Sequence, residues 1–569
     1  MNLVSLRMVL LAVAIVASTG ARAQSFNEVF GIVQPIGPGQ YPVGCSNVQQ
    51  DASRAAGGDL TAYWEGRGAG STAYVTDVLV DPAHAFVANV TLPDDRDLYG
   101  DFRNRTLPSV NLVCYPTSAS NPHADYPLPN GKAVPKMQRG AEPPIFASDR
   151  ERYPVLLFSH GFGGSPLSSD YIDAIKLLAS YGYVVIAPFH ADSRIVRSRL
   201  SNLNELLQAI LDFPNYTAMQ AARPRELSAA LDVVFADPTF AARMDATRIG
   251  GFGGSQGGES LMLMRGAQLT VSIGLASKSV IDDTRLKAAV GYVPYFGQNI
   301  FPAFGRDQLG LENVSLPYLA ISGSADVVAP AEITALGMTR LTGVRQFVML
   351  QGVQHGFDAA SASDIFTWSL TFLNAYVDDN PLARATSARM IRVAGGGDDV
   401  LLLDRAQPLP AGSGEQWAIE YYNPALDHYF MTADPTEIGI LDAGVQIRGW
   451  VRTGYEFKVY APTNPQGIAA CRFFGKPGVG PNSHFFTILA NECEDVMNNP
   501  LWTFEGLVFR TEKPNEIGAC MPDRVPVVRM YNNGKGGEAN HRYLTSHSEI
   551  GSMLLQGWLI EGPVFCSLP

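Results

Sequence analysis

The residues able to do covalent chemistry gather around one serine. In "RIGGFGGSQGGESLML", Arg248 to Leu263, the pentapeptide Gly253-Gly254-Ser255-Gln256-Gly257 spells G-x-S-x-G between a strand-like and a helix-like segment. A serine at so sharp a turn sits in strained backbone, tolerable when the residues two positions away lack side chains. Phosphate binding fits poorly. After Gly251 and Gly253 the third position of a dinucleotide fingerprint falls on Gln256, and no lysine supplies a P-loop. A serine nucleophile needs a base, an acid that orients it, and two oxyanion donors. "ISGSADVVAP" places Asp326 just beyond an apolar strand, and "MLQGVQHGF" places His355 just beyond the next. Serine, acid, histidine is the chain order expected after such a turn. Asp326 also reads as a helix N-cap. Asp282 and Asp283 are weaker acids, because no clean strand precedes them. The backbone N–H groups of Gln256 and of Phe162, in "SHGFGG", would form the oxyanion hole. His190, in "APFHAD", ends a strand at the border of the expected pocket. "YVPYFGQNIFPAFG" adds Tyr295, Phe296, Phe301 and Phe304 as pocket candidates, with simple loop anchoring as the alternative. This chemistry needs no cofactor and no metal.

Positioning these residues requires a regular scaffold, and one begins at Tyr153. "YPVLLFSHG", "YVVIAPFHA", "KAAVGYVPYF", "LPYLAISGSAD" and "RQFVMLQGVQHG" read as buried strands. "DYIDAIKLLASYG", "PRELSAALDVVFA", "GESLMLMRGAQ", "PAEITALGMTRL" and "ASDIFTWSLTFLNAYV" read as helices between or after them. Apolar strands alternating with helices predict an α/β fold with a doubly wound, mostly parallel sheet over residues 153–380. Its catalytic loops belong at the carboxyl ends of the strands, where Ser255 falls. Residues 24–152, with short β-like runs broken by Pro, Gly, Asp and Asn, read as a β-rich extension packed on that sheet. Residues 381–415 read as a linker.

Beyond it, residues 416–569 predict a smaller β-rich domain of three repeats. "YYNPALDHYFMT", "RFFGKPGVGPNSHFFT" and "RMYNNGKGGEANHRYLT" align, with His428, His484 and His541 at corresponding places. A tryptophan (Trp450, Trp502, Trp558) and a closing phenylalanine (Phe457, Phe509, Phe565) follow each. Units this small should pack together to share a core. Their aromatic surroundings favour a structural role for the histidines over a metal site.

The rest of the composition bounds the partners. An apolar content of 46% and a charged content of 17% describe a globular chain, and a net charge of −12 disfavours nucleic acid and anionic membranes. The N-terminus, with Arg7, the run "MVLLAVAIVA" and "ARA" at Ala21–Ala23, has the layout of a signal peptide over residues 1–23. The run is too short to span a bilayer. A secreted protein, extracellular or periplasmic, is expected. Six cysteines fit that compartment, and their grouping suggests Cys45–Cys114, Cys471–Cys493 and Cys520–Cys566.

The stretches "FSHGFGG", "RIGGFGGSQGG", "ISGSAD" and "GVQHGF" carry a family likeness. From about Tyr153 to Val377 the chain resembles the α/β-hydrolase superfamily. Within it, the chain looks like secreted esterases related to platelet-activating-factor acetylhydrolases and to dienelactone-type or polyester hydrolases. Gly254 departs from the histidine that many relatives carry before the serine. The resemblance implies hydrolysis of carboxylic esters, with a small-molecule or polymeric substrate of aromatic, lipid or polyester type. The C-terminal repeats resemble a small bacterial repeat domain of unassigned role, found attached to secreted enzymes. Exposed aromatics there would offer a carbohydrate or polymer surface a place to bind. Two other classes stay open. One is a serine peptidase of prolyl-oligopeptidase type, disfavoured because no propeller precedes the core. The other is a binding or adhesion protein acting through the repeats.

Overall fold

Apolar runs bounded by Gly and Pro form the strands that the sequence predicts. The computed structural model describes residues 31–54, 64, 74–196, 212–298, 301–395, 397–405, 412–535 and 538–569. The expected signal peptide lies outside the described residues. Ten strands make one sheet. In chain order they are β1 (Val43–Cys45), β2 (Phe86–Thr91), β3 (Thr106–Pro116), β4 (Tyr153–Ser159), β5 (Val184–Phe189), β6 (Met244–Gly254), β7 (Leu286–Tyr292), β8 (Tyr318–Gly323), β9 (Arg345–Leu350) and β10 (Asp399–Arg405). Across the sheet the order is β10-β9-β8-β7-β6-β4-β5-β3-β1, with β2 also paired to β3. β4 to β9 run parallel; β1, β2, β3 and β10 add antiparallel edges. Every residue of β4, β5 and β8 is buried, as a parallel sheet covered by helices on both faces requires.

Three elements differ from the sequence reading. The residues ahead of Tyr153 do not merely pack on the sheet; they extend it, with Val110–Cys114 of β3 paired to Val185–Phe189 of β5. Cys45 and Cys114 face each other across β1 and β3 and are disulfide-bonded. The expected linker holds a helix, Pro381–Arg389, and β10. In β10 Leu401 is buried while Val400 and Leu402 are exposed, the alternation of a half-covered strand, which the neighbouring glycines obscure. Finally, the helix expected to open at Pro224 begins at Phe213 and runs to Phe235 with Pro224 inside it. Proline at a first helical position is the commoner arrangement, so the sequence points to the wrong boundary. The core helices that matter for the site are α1 (Ser169–Ser180), α2 (Phe213–Phe235), α3 (Gln256–Met264), α4 (Ala331–Arg340) and α5 (Ala362–Tyr376).

The C-terminal residues form a separate β-rich domain with its own hydrophobic core. The succession strand, strand, helix, strand runs through it three times: Glu415–Asn423, His428–Thr432, Pro435–Ala443, Val451–Tyr460; Ile468–Gly475, His484–Thr487, Ala490–Met497, Trp502–Thr511; Val525–Tyr531, His541–Leu544, His547–Leu555, Leu559–Ser567. His428, His484 and His541 each open the second strand. Phe457, Phe509 and Phe565 meet in the shared core. Arginines tie each stretch to the one before it. Arg472 bonds Glu437 at 2.8 Å, and Arg529 bonds Glu492 at 3.0 Å. At the third junction the charges are exchanged: Arg542 reaches Glu420 at 2.8 Å and also pairs with Glu549. Arg542 lies over the Tyr429 ring, 4.0 Å from its centroid. Disulfides Cys471–Cys493 and Cys520–Cys566 complete the domain.

Candidate active site

Ser255 stands between the end of β6 and the start of α3 with φ 52° and ψ −119°. That left-handed conformation is strained for any residue with a side chain. The flanking glycines make it possible. A Cβ on Gly257 would lie 1.8 Å from the Ser159 carbonyl oxygen, and one on Gly253 would lie 2.3 Å from the Gly257 carbonyl carbon. The turn is pinned to the next strand: Ser255 N–H donates to Tyr292 O at 2.9 Å, and Tyr295 N–H donates to Ser255 O at 3.0 Å.

The loops after β8 and β9 bring the other two residues to it. His355 Nε2 lies 3.0 Å from Ser255 Oγ, and its Nδ1 lies 2.8 Å from Asp326 Oδ2. The second Asp326 oxygen accepts the N–H groups of Val328 and Ala329, both at 2.8 Å. Asp326 therefore holds its own turn while it faces the histidine; α4 itself is opened by Pro330. The Asp326 carboxylate is fully buried and His355 is partly exposed, so the row runs from the interior to the surface. Asp282 and Asp283 are engaged elsewhere, by Arg265 and Arg285.

On the other side, the loop after β4 lies against the serine. A Cβ on Gly161 would be 3.3 Å from Ser255 Cβ. This places the backbone leading into Phe162 beside the nucleophile, while Gln256 opens α3 directly after it. Backbone N–H groups on either side of a nucleophile can stabilise negative charge on a carbonyl oxygen bound between them. His190 does not border a pocket. Its ring is buried, with Nδ1 2.6 Å from Glu226 Oε2 and Nε2 2.9 Å from Ser159 Oγ. Burial pushes the His190 imidazole well down and the Glu226 carboxyl up to about 8, so the pair favours its uncharged form. His160 is likewise buried and neutral.

A cavity of about 170 Å³ opens beside Ser255 and His355. Its walls include Tyr171, Phe252, Tyr292 and Phe357, so it is largely apolar and aromatic. Tyr171 occupies the room a side chain at position 254 would need, its ring 3.2 Å from where a Cβ would stand. Neither Phe296 nor Phe304 lines this cavity. Both are buried in the core, 5.4 Å apart ring to ring. Phe301 packs on Phe213, and Tyr295 is partly buried beside the turn. The aromatic loop thus mostly anchors itself. The walls actually present come from α1, the strand ends and the His355 loop, and of their aromatics Tyr171 and Tyr292 carry no sequence signal apart from ordinary core residues.

Residues 137–206 match the family described as platelet-activating factor acetylhydrolase, isoform II. That segment spans β4, α1, β5 and the Phe162 loop, and it ends before Ser255, Asp326 and His355. Residues 417–568 match a domain of unknown function (DUF5648). No curated protein matches the chain. The acetylhydrolase match, together with the sheet order, supports an α/β-hydrolase-like esterase, a hydrolase of the lipase and esterase kind. The three disulfides are compatible with an extracellular protein, and among the described residues no helix is long and apolar enough to cross a membrane.

Proposed function

We propose that this protein is a secreted serine hydrolase that cleaves carboxylic esters through an acyl-enzyme. The observation that carries the reading is the unbroken row Asp326–His355–Ser255, at 2.8 and 3.0 Å, ending on a serine held at positive φ. His355 Nε2 takes the Ser255 proton as Oγ attacks the ester carbonyl, and Asp326 holds the imidazole and balances its charge. The Phe162 and Gln256 N–H groups hold the oxyanion, each worth about 3 kcal/mol to the transition state. The imidazolium then gives its proton to the leaving alkoxide, and water attacks the acyl-enzyme with the same base. The apolar cavity suits an ester with a compact hydrophobic group next to the carbonyl or the leaving oxygen. Among the described residues ahead of Tyr153, β2 and β3 extend the sheet and no gating domain is formed, which favours an ester over a peptide substrate. The test is hydrolysis of para-nitrophenyl esters from acetate to palmitate by wild type and Ser255→Ala. Rates should fall by about 10⁴-fold or more in the variant, with short acyl chains preferred. A wild type inert on the whole series would end the esterase reading.

For the C-terminal domain, we read the three stretches as copies of one unit whose corners rest on an insoluble ester. Each corner between helix and third strand exposes aliphatic groups: Val445, Ile447 and Val451; Met497 and Leu501; Leu554, Leu555 and Leu559. Trp558 is buried, and Trp450 and Trp502 pack partly into the domain cores, so the corners are better suited to an apolar polymer or lipid face than to sugar rings. Aspartate at Leu501 and Leu555 together should abolish pelleting with a polyester suspension and spare hydrolysis of soluble esters; unchanged pelleting would refute it.

A further inference from the structure

We infer that Arg223 is the positioning residue of the oxyanion loop: from inside the protein it aims the Phe162 N–H at the reacting carbonyl. The inference rests on the esterase reading above. Arg223 lies on α2 and is fully buried. Its Nη1 donates to His160 O at 2.7 Å and its Nη2 to Gly161 O at 3.4 Å. In a trans peptide the carbonyl of one residue and the N–H of the next lie in one plane and point opposite ways. Whatever fixes the Gly161 carbonyl therefore fixes the direction of the Phe162 N–H.

The other tethers converge on the same two peptide groups. His160 Nδ1 lies 2.8 Å from Gly161 O, and its Nε2 accepts the His190 N–H at 3.2 Å, so the proton sits on Nδ1. Gly161 N–H donates to Tyr171 OH at 3.0 Å. Farther along the loop, the Phe162 ring packs on Tyr216, two turns before Arg223 on the same helix. Arg223 itself is locked by Asp192: Nε donates to Oδ1 at 2.9 Å, and Nη2 pairs with Oδ2. A buried ion pair of this kind seldom adds stability over an apolar pair of similar volume. Here it supplies a planar fork able to hold two successive carbonyls, which lysine cannot reproduce.

Two variants test this: Arg223→Lys, which keeps the charge for Asp192, and Arg223→Met/Asp192→Leu, which removes both charges together. Folded sites are counted by stoichiometric phosphonylation of Ser255, and kcat is taken per counted site on para-nitrophenyl butyrate. The expected result is a kcat loss of about 100-fold with KM within about threefold in both variants. The Ki of a trifluoromethyl ketone, whose hemiketal oxyanion occupies the same hole, should rise in step. A kcat per site within about threefold of wild type in either variant overturns the inference and leaves the esterase reading intact. A wild type that neither hydrolyses esters nor takes the phosphonate at Ser255 removes both.

Discussion

Ser255 holds its position against its own conformational preference, and that has a measurable sign. At φ 52° a side chain is strained by about 1–3 kcal/mol, whereas glycine is not. Ser255→Gly should therefore raise the urea-unfolding free energy, by about 1 kcal/mol, while abolishing ester hydrolysis; a destabilised variant would show that the strain has been misassigned. At this scale much of the proposed site was legible. Glycine at positions 253 and 257 is demanded by backbone that passes within van der Waals distance, and a five-residue motif records it. Asp326 and His355 were legible for another reason, because each directly follows an apolar strand. Arg223 was not. An arginine before a proline inside a long helix has no spacing that distinguishes it from a surface charge.

Between elements, the buried polar groups on α2 and α3 set how stability responds to pH. Gln220 of α2 donates to Glu259 of α3 at 2.7 Å, and burial raises the Glu259 carboxyl from 4.5 to about 8. Between those values the unfolded chain has released a proton that the folded chain keeps, so stability falls as pH rises through this window and levels above it. Glu259→Gln keeps a carbonyl for Gln220 and carries no such proton. The difference in urea midpoint between pH 5 and pH 8 should be smaller in the variant than in wild type. Equal differences would mean that Glu259 ionises normally in the fold. Element boundaries were the least legible part of the sequence. Pro224 looks like a helix start because proline fits a first turn without loss, yet tertiary packing carries the helix from Phe213 straight through it. β10 was hidden because a strand half covered by neighbours needs only alternate apolar positions, and glycines next to it resemble a linker.

At the scale of the molecule, the two domains should respond separately to mutation. Arg542 is buried between Glu420 and Glu549, and removing one member of such a group leaves the others unpaired. Arg542→Met should lower the stability of the C-terminal domain by roughly 3–5 kcal/mol, seen by calorimetry as a lowered transition, with kcat unchanged at 25 °C. Loss of activity in parallel would couple the domains.

The helix His547–Leu555 packs against β10, the outermost strand of the ten-stranded sheet. That strand ends the hydrogen-bonded ladder with Val400 and Leu402 facing outward. Left uncovered, an edge strand is a template on which a second chain can add a strand. A helix lying on this strand predicts a second task for the C-terminal domain, keeping the sheet edge from pairing with another chain. A chain ending at residue 412 should still hydrolyse soluble esters, yet it should self-associate in a concentration-dependent way, visible by light scattering, unless lysine replaces Leu402.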